Sequence, residues 1–356
     1  MTASFAAPKA APTSTTDWDR GGLPAWTYFD PSLAKKENDV FFRRHWQLAC
    51  HVSDVPNVGD FITLDIVGER AIVIRDRDGE IKAFNNLCRH RGSRVLAEAR
   101  GNRSRVLTCP FHGWCYNFDG TLRRPAAPES LPDLDPVDHG LKPLDHGIWM
   151  GFVFIRFLPG EQRAPSEAFG RHDAEVLPYD TANMVAAHDE FSITEMPVNW
   201  KSVRDVDNEG YHVPIAHPSL QDLYGPNYFD DAYIDETTRS HGALTDAPGR
   251  SWSVRHYKKI LPERPTLPAE NRRAWLYVGI FPTTVIGFYP DSTIFYQEFP
   301  IAVDRTIQRS GAYRYKDEDR ALKLSRYLSG RIDRGDRSGR QSTDRMVFRG
   351  DEVQRL

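Results

Sequence analysis

Two stretches of this chain combine residue types and spacings suited to metal chemistry. Cys88-Arg89-His90-Arg91-Gly92 and Cys109-Pro110-Phe111-His112-Gly113-Trp114 each carry one thiol and one imidazole on a short spacer, with residues 91–108 between the two pairs. A short spacer lets both side chains of a pair reach one site, and Gly92, Pro110 and Gly113 tighten the loops. A Cys2His2 set suits tetrahedral zinc or a 2Fe–2S cluster with both cysteines on one iron and both histidines on the other. Zinc fingers usually pair two cysteines and then two histidines on a helix. Here each loop carries one of each and strand-like runs precede both, which favours the cluster. The second stretch holds Glu209, His212 and His217 within nine residues. A helix over 200–213 would place Glu209 and His212 on one face at i,i+3. Pro214 and Pro218 interrupt it and bias Val213 and His217 toward extended geometry, so the two rings converge from a helix end and the following turn. Two imidazoles and a carboxylate from elsewhere make the facial triad of non-haem Fe(II), which leaves positions open. The alternative is two unrelated histidines near a helix terminus.

The elements that must position these residues follow from periodicity. Residues 26–46 are helical in pattern. Runs 61–67, 71–75 and 81–84 read as strands separated by turns, and the last leads into Cys88; run 105–108 leads into Cys109. Residues 148–157 read as one closing strand, and Pro159-Gly160 opens a linker. Residues 189–194 begin a second β-rich region. Segment 218–250 is loop-rich, and runs 251–259, 274–281, 284–289, 293–299 and 306–315 suggest one antiparallel sheet. Residues 316–334 return to a helical pattern.

Composition bounds the function. The chain has 356 residues, 40% hydrophobic and 27% charged, with a net charge of −3, and so has the makeup of a globular protein with room for two domains. Interspersed charge leaves no footprint for nucleic acid or an anionic membrane, and no apolar run approaches the ~18 residues of a spanning helix. Residues 1–17 read as a flexible tail rather than a signal peptide. Four cysteines point to a reduced compartment and metal ligation; Cys50 and Cys115 suit small buried hydrophobes. No Gly-x-Gly-x-x-Gly follows a strand, so reducing equivalents must come through a partner.

Cys-Arg-His-Arg-Gly and Cys-Pro-Phe-His-Gly-Trp resemble the two cluster loops of a Rieske domain. With Glu209, His212 and His217, the chain over about residues 24–350 resembles the catalytic α subunit of Rieske non-haem iron oxygenases. The resemblance implies an α+β fold, with a small all-β Rieske domain (an antiparallel β-sandwich) inserted near the start of a larger antiparallel-sheet-plus-helices catalytic domain. The expected division is a flexible tail at 1–20, a helical segment of the catalytic domain at 21–45, the Rieske domain at 46–158 and the catalytic domain at 159–356. It implies a 2Fe–2S cluster on Cys88, His90, Cys109 and His112, and mononuclear Fe(II) on His212, His217 and a carboxylate beyond the last strands. Asp333, Asp336, Asp344 and Asp351 are the candidates. Asp344, ahead of Met346-Val347, looks most like the family's acidic pair, and Asp351 is next; 335–340 looks like a polar insertion. Val206 and Asp207 depart from the family pattern.

Glu209 takes the bridging position, where ring-dihydroxylating members often carry Asp; Glu is similar to members acting on carnitine and choline. The implied bridge runs between an iron-ligating histidine and a cluster histidine of a neighbouring subunit. The implied activity is O2-dependent hydroxylation or oxidative demethylation of a small organic substrate. Electrons would come from NAD(P)H through a separate reductase or ferredoxin, in a cytoplasmic homotrimer. A ring-hydroxylating dioxygenase of an aromatic acid and a Rieske-type electron carrier are the alternatives. Tyr211, Trp252, Trp275, Tyr277, Phe281, Phe288, Tyr289, Phe295 and Tyr296 either wall an aromatic cavity or, for most, form core.

Overall fold

The computed structural model describes residues 22–231 and 233–347, without the side chains of Arg334 and of 336–347. The tail expected at 1–20 and Asp351 lie outside the described residues. Helix α1 (Pro31–Glu37) begins with a proline in its first turn and is capped by Asp30, whose carboxylate accepts from the Ser32 and Leu33 amides at 2.7 and 3.0 Å. After β1 (Gln47–His51), strands β2 (Asp60–Ile66), β3 (Glu69–Arg75), β4 (Ile81–Asn85) and β5 (Arg100–Asn102) form an antiparallel sheet in the order β4-β3-β2-β5. Strands β6 (Leu107–Thr108), β7 (Cys115–Tyr116) and β8 (Leu122–Arg124) form a second sheet. Phe61, Ile72 and Phe84 of the first sheet meet Leu107, Tyr116 and Leu122 of the second in one core, which also takes in Cys88 and Cys109. This is the small antiparallel β domain that the sequence implied.

Residues 148–157, read above as one strand, are a hairpin. Strands β9 (Asp145–Trp149) and β10 (Phe152–Arg156) pair across Met150 and Gly151, whose φ values are 51° and 86°. A Cβ on Gly151 would lie 2.4 Å from His51 Nε2 and 2.7 Å from Ala182 Cα, so only glycine fits. Met150 carries no turn signal, and the apolar run hides the reversal. The run is apolar because β10, paired with β1, is covered on both faces. Phe152 and Phe154 pack on the large sheet below, while Val153 and Ile155 pack on the small domain.

Short helices α2 (Pro165–Ala168) and α3 (Asp173–Val176) lead to β11 (Val185–Met196), α4 (Trp200–Asp207), α5 (Val213–Ala216) and α6 (Pro218–Tyr224). Then come β12 (Tyr228–Asp230), β13 (Thr237–Ala243), α7 (Trp252–Ile260), β14 (Ala274–Ile280), β15 (Thr284–Phe288), β16 (Thr293–Ala302), β17 (Arg305–Arg314) and α8 (Arg320–Val347). The strands make one antiparallel sheet of seven, β11-β17-β16-β15-β14-β13-β12. Leu276, Val278 and Phe288 face the β1-β10-β9 sheet, whereas Trp275, Val285 and Tyr289 lie under the helices.

Two further elements of the catalytic region differ from the sequence expectation. The run 251–259 is helix α7, capped by Ser251 through the Val254 amide at 3.2 Å, with Val254, Tyr257 and Leu261 buried at helical spacing. The segment 218–250 contains α6, β12 and β13. Strand β13 reads Thr-Thr-Arg-Ser-His-Gly-Ala, too polar for an alternating pattern, and is held by β12 and β14 on either side.

Candidate metal centres and active-site cavity

The two Cys/His loops share one construction. Gly92 and Cys88 amides donate to Cys88 O and Ser93 O at 2.8 and 2.7 Å; Gly113 and Cys109 amides donate to Cys109 O and Trp114 O at 3.0 and 2.8 Å. Both glycines adopt left-handed φ values, 68° and 69°. The thiols are buried in the sandwich core and the imidazoles are half-buried at its rim. The Nδ1 atoms of His90 and His112 face each other at 3.1 Å, and Trp114 stacks on His90 at 5.0 Å. Sulfur ligands inside and nitrogen ligands at the rim fit a 2Fe–2S cluster whose histidine-bound iron meets the surface.

Two residues missed from the sequence shape these loops. The buried Asn86 accepts from the Val95 and Leu96 amides at 2.9 Å each and donates to Leu96 O at 2.7 Å. Tyr116 accepts from the Arg89 amide at 3.0 Å and lies 3.1 Å from Cys88 Sγ. Toward a thiolate the phenol is the donor. Neither residue is of the Cys or His type that holds such a cluster, so spacing alone did not mark them.

Helix α4, capped by Asn199, ends at Asp207 rather than running to 213. Gly210 follows in a loop pressed against β12, where a Cβ would meet the Tyr228 ring at 2.2 Å. Glu209 and His212 still meet: Oε1 lies 2.6 Å from His212 Nδ1, and the His212 amide donates to Oε2 at 3.2 Å. Pro214 and Pro218 begin the new helices α5 and α6 instead of only ending one, so Val213 is helical. His217 sits between them at φ −127° and ψ 71°. Its buried ring meets His212 edge-on, centroids 4.9 Å apart. With Nδ1 of His212 held by Glu209, its Nε2 is the atom left for a metal. The pair fits two corners of a facial triad. Asp344 lies on α8, which packs on α5, α6 and α7, but its side chain and that of Asp336 are outside the described residues. Asp333 accepts a hydrogen bond from Tyr289 Oη at 3.3 Å. Among the described residues no carboxylate completes a three-ligand group with the histidines.

Residues 45–135 match the family model "Rieske [2Fe-2S] domain", and residues 170–345 match "Ring hydroxylating alpha subunit (catalytic domain)". The chain belongs to the Rieske oxygenase α subunits. It is 28% identical over 304 residues to the carnitine monooxygenase oxygenase subunit of Escherichia coli (strain K12), covering 83% of this chain and 75% of that one. It is 35% identical over 230 residues to the glycine betaine monooxygenase oxygenase subunit of Chromohalobacter salexigens, covering 65% and 50%. Identity to the anthranilate 1,2-dioxygenase large subunit of Acinetobacter baylyi is 34% over 199 residues, covering 53% and 41%. In fold it is similar to the quaternary ammonium Rieske monooxygenase CntA, with a TM-score of 0.75 at 23% identity over 92% of this chain and 86% of that one. Naphthalene 1,2-dioxygenase from Rhodococcus sp. gives 0.73 at 22% identity over 91% and 82%. The protein is therefore an O2-dependent oxidoreductase with a Rieske 2Fe–2S cluster and mononuclear iron. It is the oxygenase component, fed by a reductase or ferredoxin and acting on a small molecule. No helix among the described residues is long and apolar enough to cross a membrane.

In this oxygenase Glu209, His212, His217, Tyr228, Tyr277 and Tyr296 line a cavity of 50 Å³. A cleft of 740 Å³ adjoins it through shared walls at Arg204, Asp207, Thr238, Ser240 and Gly279. Arg204 donates to Asp207 Oδ2 at 2.7 Å, and Tyr296 Oη donates to Asp207 Oδ1 at 2.9 Å. Burial opposes the charge on Arg204, but Asp207 and Glu298 outweigh it and hold its pKa above the usual value. Asp207, a departure from the family pattern, is thus the ion-paired wall between cleft and cavity. Of the aromatic residues considered for a cavity, Tyr277 and Tyr296 line the small one and Phe281 the cleft. Trp275, Phe288, Tyr289 and Phe295 are core. Tyr211 and Trp252, 86% and 52% exposed, wall neither.

Proposed function

We propose that this oxygenase hydroxylates a small cationic amine at a carbon next to nitrogen, so that the product loses an aldehyde. The charge of the cleft carries this reading. Five carboxylates (Glu37, Asp205, Asp207, Asp230 and Asp231) face three cationic side chains (Lys36, Lys201 and Arg204). Lys201 is matched by Glu37 at 2.8 Å and Arg204 by Asp207, and Asp231 is met by Arg239 at 3.1 Å, so the cleft's negative character rests on Asp205 and Asp230. Desolvation holds the Asp230 carboxyl above its ordinary range, a strain that a cation in the cleft would relieve. Phe41, Trp200, Tyr233 and Phe281 add aromatic faces that attract a methylated ammonium. A benzoate-like anion would meet the same carboxylates as repulsion. Glu209 in place of the more usual Asp, and the carnitine and glycine betaine relatives, support the same class.

Cys88, His90, Cys109 and His112 would hold the cluster, and His212, His217 and Asp344 the iron. When bound, these groups supply one-electron transfer and O2 activation. The chain's own residues do the rest. The cleft orients the ammonium, and the small cavity admits only the carbon to be oxidised. Glu209 keeps the Nδ1 proton of His212 in place, which fixes the ring and the tautomer that leaves Nε2 free. Once the carbon carries a hydroxyl, loss of its proton breaks the C–N bond; the amine keeps the electron pair and an aldehyde leaves. The assembly would be a homotrimer ring, cytoplasmic, in which Glu209 links His212 to His90 or His112 of a neighbour. Exposed apolar groups near both ends of that link support it: Phe111 is 60% exposed, Tyr211 86% and Ile215 88%. The domain division at 46–158 and 159–356 belongs to the same proposal.

The test is O2 uptake with reductase and NAD(P)H against quaternary amines and aromatic acids, with aldehyde and diol products assayed. Coupled uptake and aldehyde with an amine is expected. A cis-diol from an aromatic acid, without turnover of any amine, would replace this reading with ring dihydroxylation.

A further inference from the structure

Among the described residues, each cationic side chain that lines the 740 Å³ cleft is engaged. Lys201 Nζ lies 2.8 Å from each carboxylate oxygen of Glu37 and 5.7 and 5.3 Å from the Tyr28 and Trp200 ring centroids. Arg204 spends its guanidinium on Asp207 at 2.7 Å, Asn208 Oδ1 at 3.2 Å and Glu298 at 3.6 Å. Lys36, the third, is not free either. The two carboxylates left over have neutral partners. Asp205 accepts from the Tyr28 hydroxyl, and Asp230 from the Ser240 and Tyr228 hydroxyls and the Gly210 amide. The backbone adds to the same sign. Helix α4 ends at Asp207, in the wall that cleft and cavity share, and a helix C-terminus attracts cations and repels anions. Its other end is capped, since Asn199 Oδ1 accepts from the Lys201 amide at 2.9 Å. The ring faces of Phe41, Trp200, Tyr233 and Phe281 carry negative potential as well.

We propose that the cleft selects an ammonium with no carboxylate within a few bonds of its nitrogen, and that Asp205 and Asp230 make the distinction. The selection rests on the amine reading and narrows it. A short zwitterion brings one carboxylate with each ammonium. Its cationic end would find Asp205, Asp230 and the ring faces. Its anionic end, tied close behind, could not stay in bulk water. Among the described residues of the cleft it would find no guanidinium or ammonium that is not already spent. Freeing Arg204 for it would strand Asp207 and the buried Glu298, and freeing Lys201 would strand the buried Glu37. A hydroxyl or an alkyl group in place of that carboxylate carries no charge to desolvate and meets no such penalty.

The full chain, loaded with iron and cluster, is titrated by calorimetry without O2 against two matched pairs of amines. Choline and glycine betaine share a trimethylammonium group, and dimethylaminoethanol and dimethylglycine share a dimethylamine. Within each pair only a hydroxymethyl group and a carboxylate differ. The alcohol should bind at least about 10-fold more tightly than the acid, because the acid sets like charges together. Asp205→Asn and Asp230→Asn should each weaken binding of the alcohol and cut that ratio several-fold; melting curves and iron content check both variants. An acid bound as tightly as its alcohol, or a ratio unchanged in both variants, would overturn the selection and leave the amine reading standing. If none of the four amines binds, the amine reading fails and the selection fails with it.

Discussion

Glu209 commits both carboxylate oxygens to one residue, Oε1 to His212 Nδ1 at 2.6 Å and Oε2 to the His212 amide at 3.2 Å. The bond survives although α4 stops at Asp207, because the loop through Gly210 brings the i,i+3 pair together without a continuous helix. Glu209→Gln keeps the shape but loses the anion that orients the imidazole. Turnover should fall roughly 10–100-fold while both metal centres stay loaded. Stopped-flow spectra should show normal cluster reduction by the reductase and slowed reoxidation with substrate and O2. Reoxidation at the unaltered rate would take Glu209 off the electron path.

Asp344→Ala should lower iron from about three to about two per chain and leave the cluster spectrum intact, whereas Asp351→Ala should not. Iron and sulfide analysis decides it. Three irons retained in the Asp344 variant would pass the assignment to Asp351 or Asp333.

Tyr116 Oη lies 3.1 Å from Cys88 Sγ. A donor to a cluster sulfur favours the reduced state, which carries one more negative charge. Tyr116→Phe should lower the cluster potential by roughly 60 mV, equivalent to about 1.4 kcal/mol for one electron. A redox titration followed by circular dichroism reads it directly.

Asp291, buried between Tyr257 and Ser325, has its pKa raised to about 6 by desolvation, against hydrogen bonds that lower it. The folded carboxyl therefore holds its proton more tightly than the unfolded one. Its contribution favours folding below the unfolded pKa and is lost as pH rises through about 6. Asp291→Asn removes that dependence. Relative to the unaltered chain, the variant should gain on the order of 2–3 kcal/mol between about pH 4 and pH 7, read from paired thermal melts. Parallel melting curves across that range would show that Asp291 does not titrate in the fold.

What the sequence determined by itself is chemistry written over short distances. Cys88 and His90, Cys109 and His112, and Glu209 with its histidines lie a few residues apart, so residue type and spacing carry them with no knowledge of the fold. The central strands β2, β3 and β14 to β17 were legible too, since one strand's alternation or apolar run suffices. The tertiary structure decided what depends on partners far along the chain. The 148–157 run is a hairpin because β10 is covered on both faces and Gly151 must clear His51 and Ala182. Strand β13 exists because two neighbours supply its hydrogen bonds, not because its own residues favour it. Tyr116 and Asn86 matter through contacts with loops that their own residue types do not announce. The carboxylate-rich cleft is assembled from α1, α4, β12, β13 and β14, and no single window of sequence contains it. Burial and long-range pairing set these features, and both are properties of the packed chain.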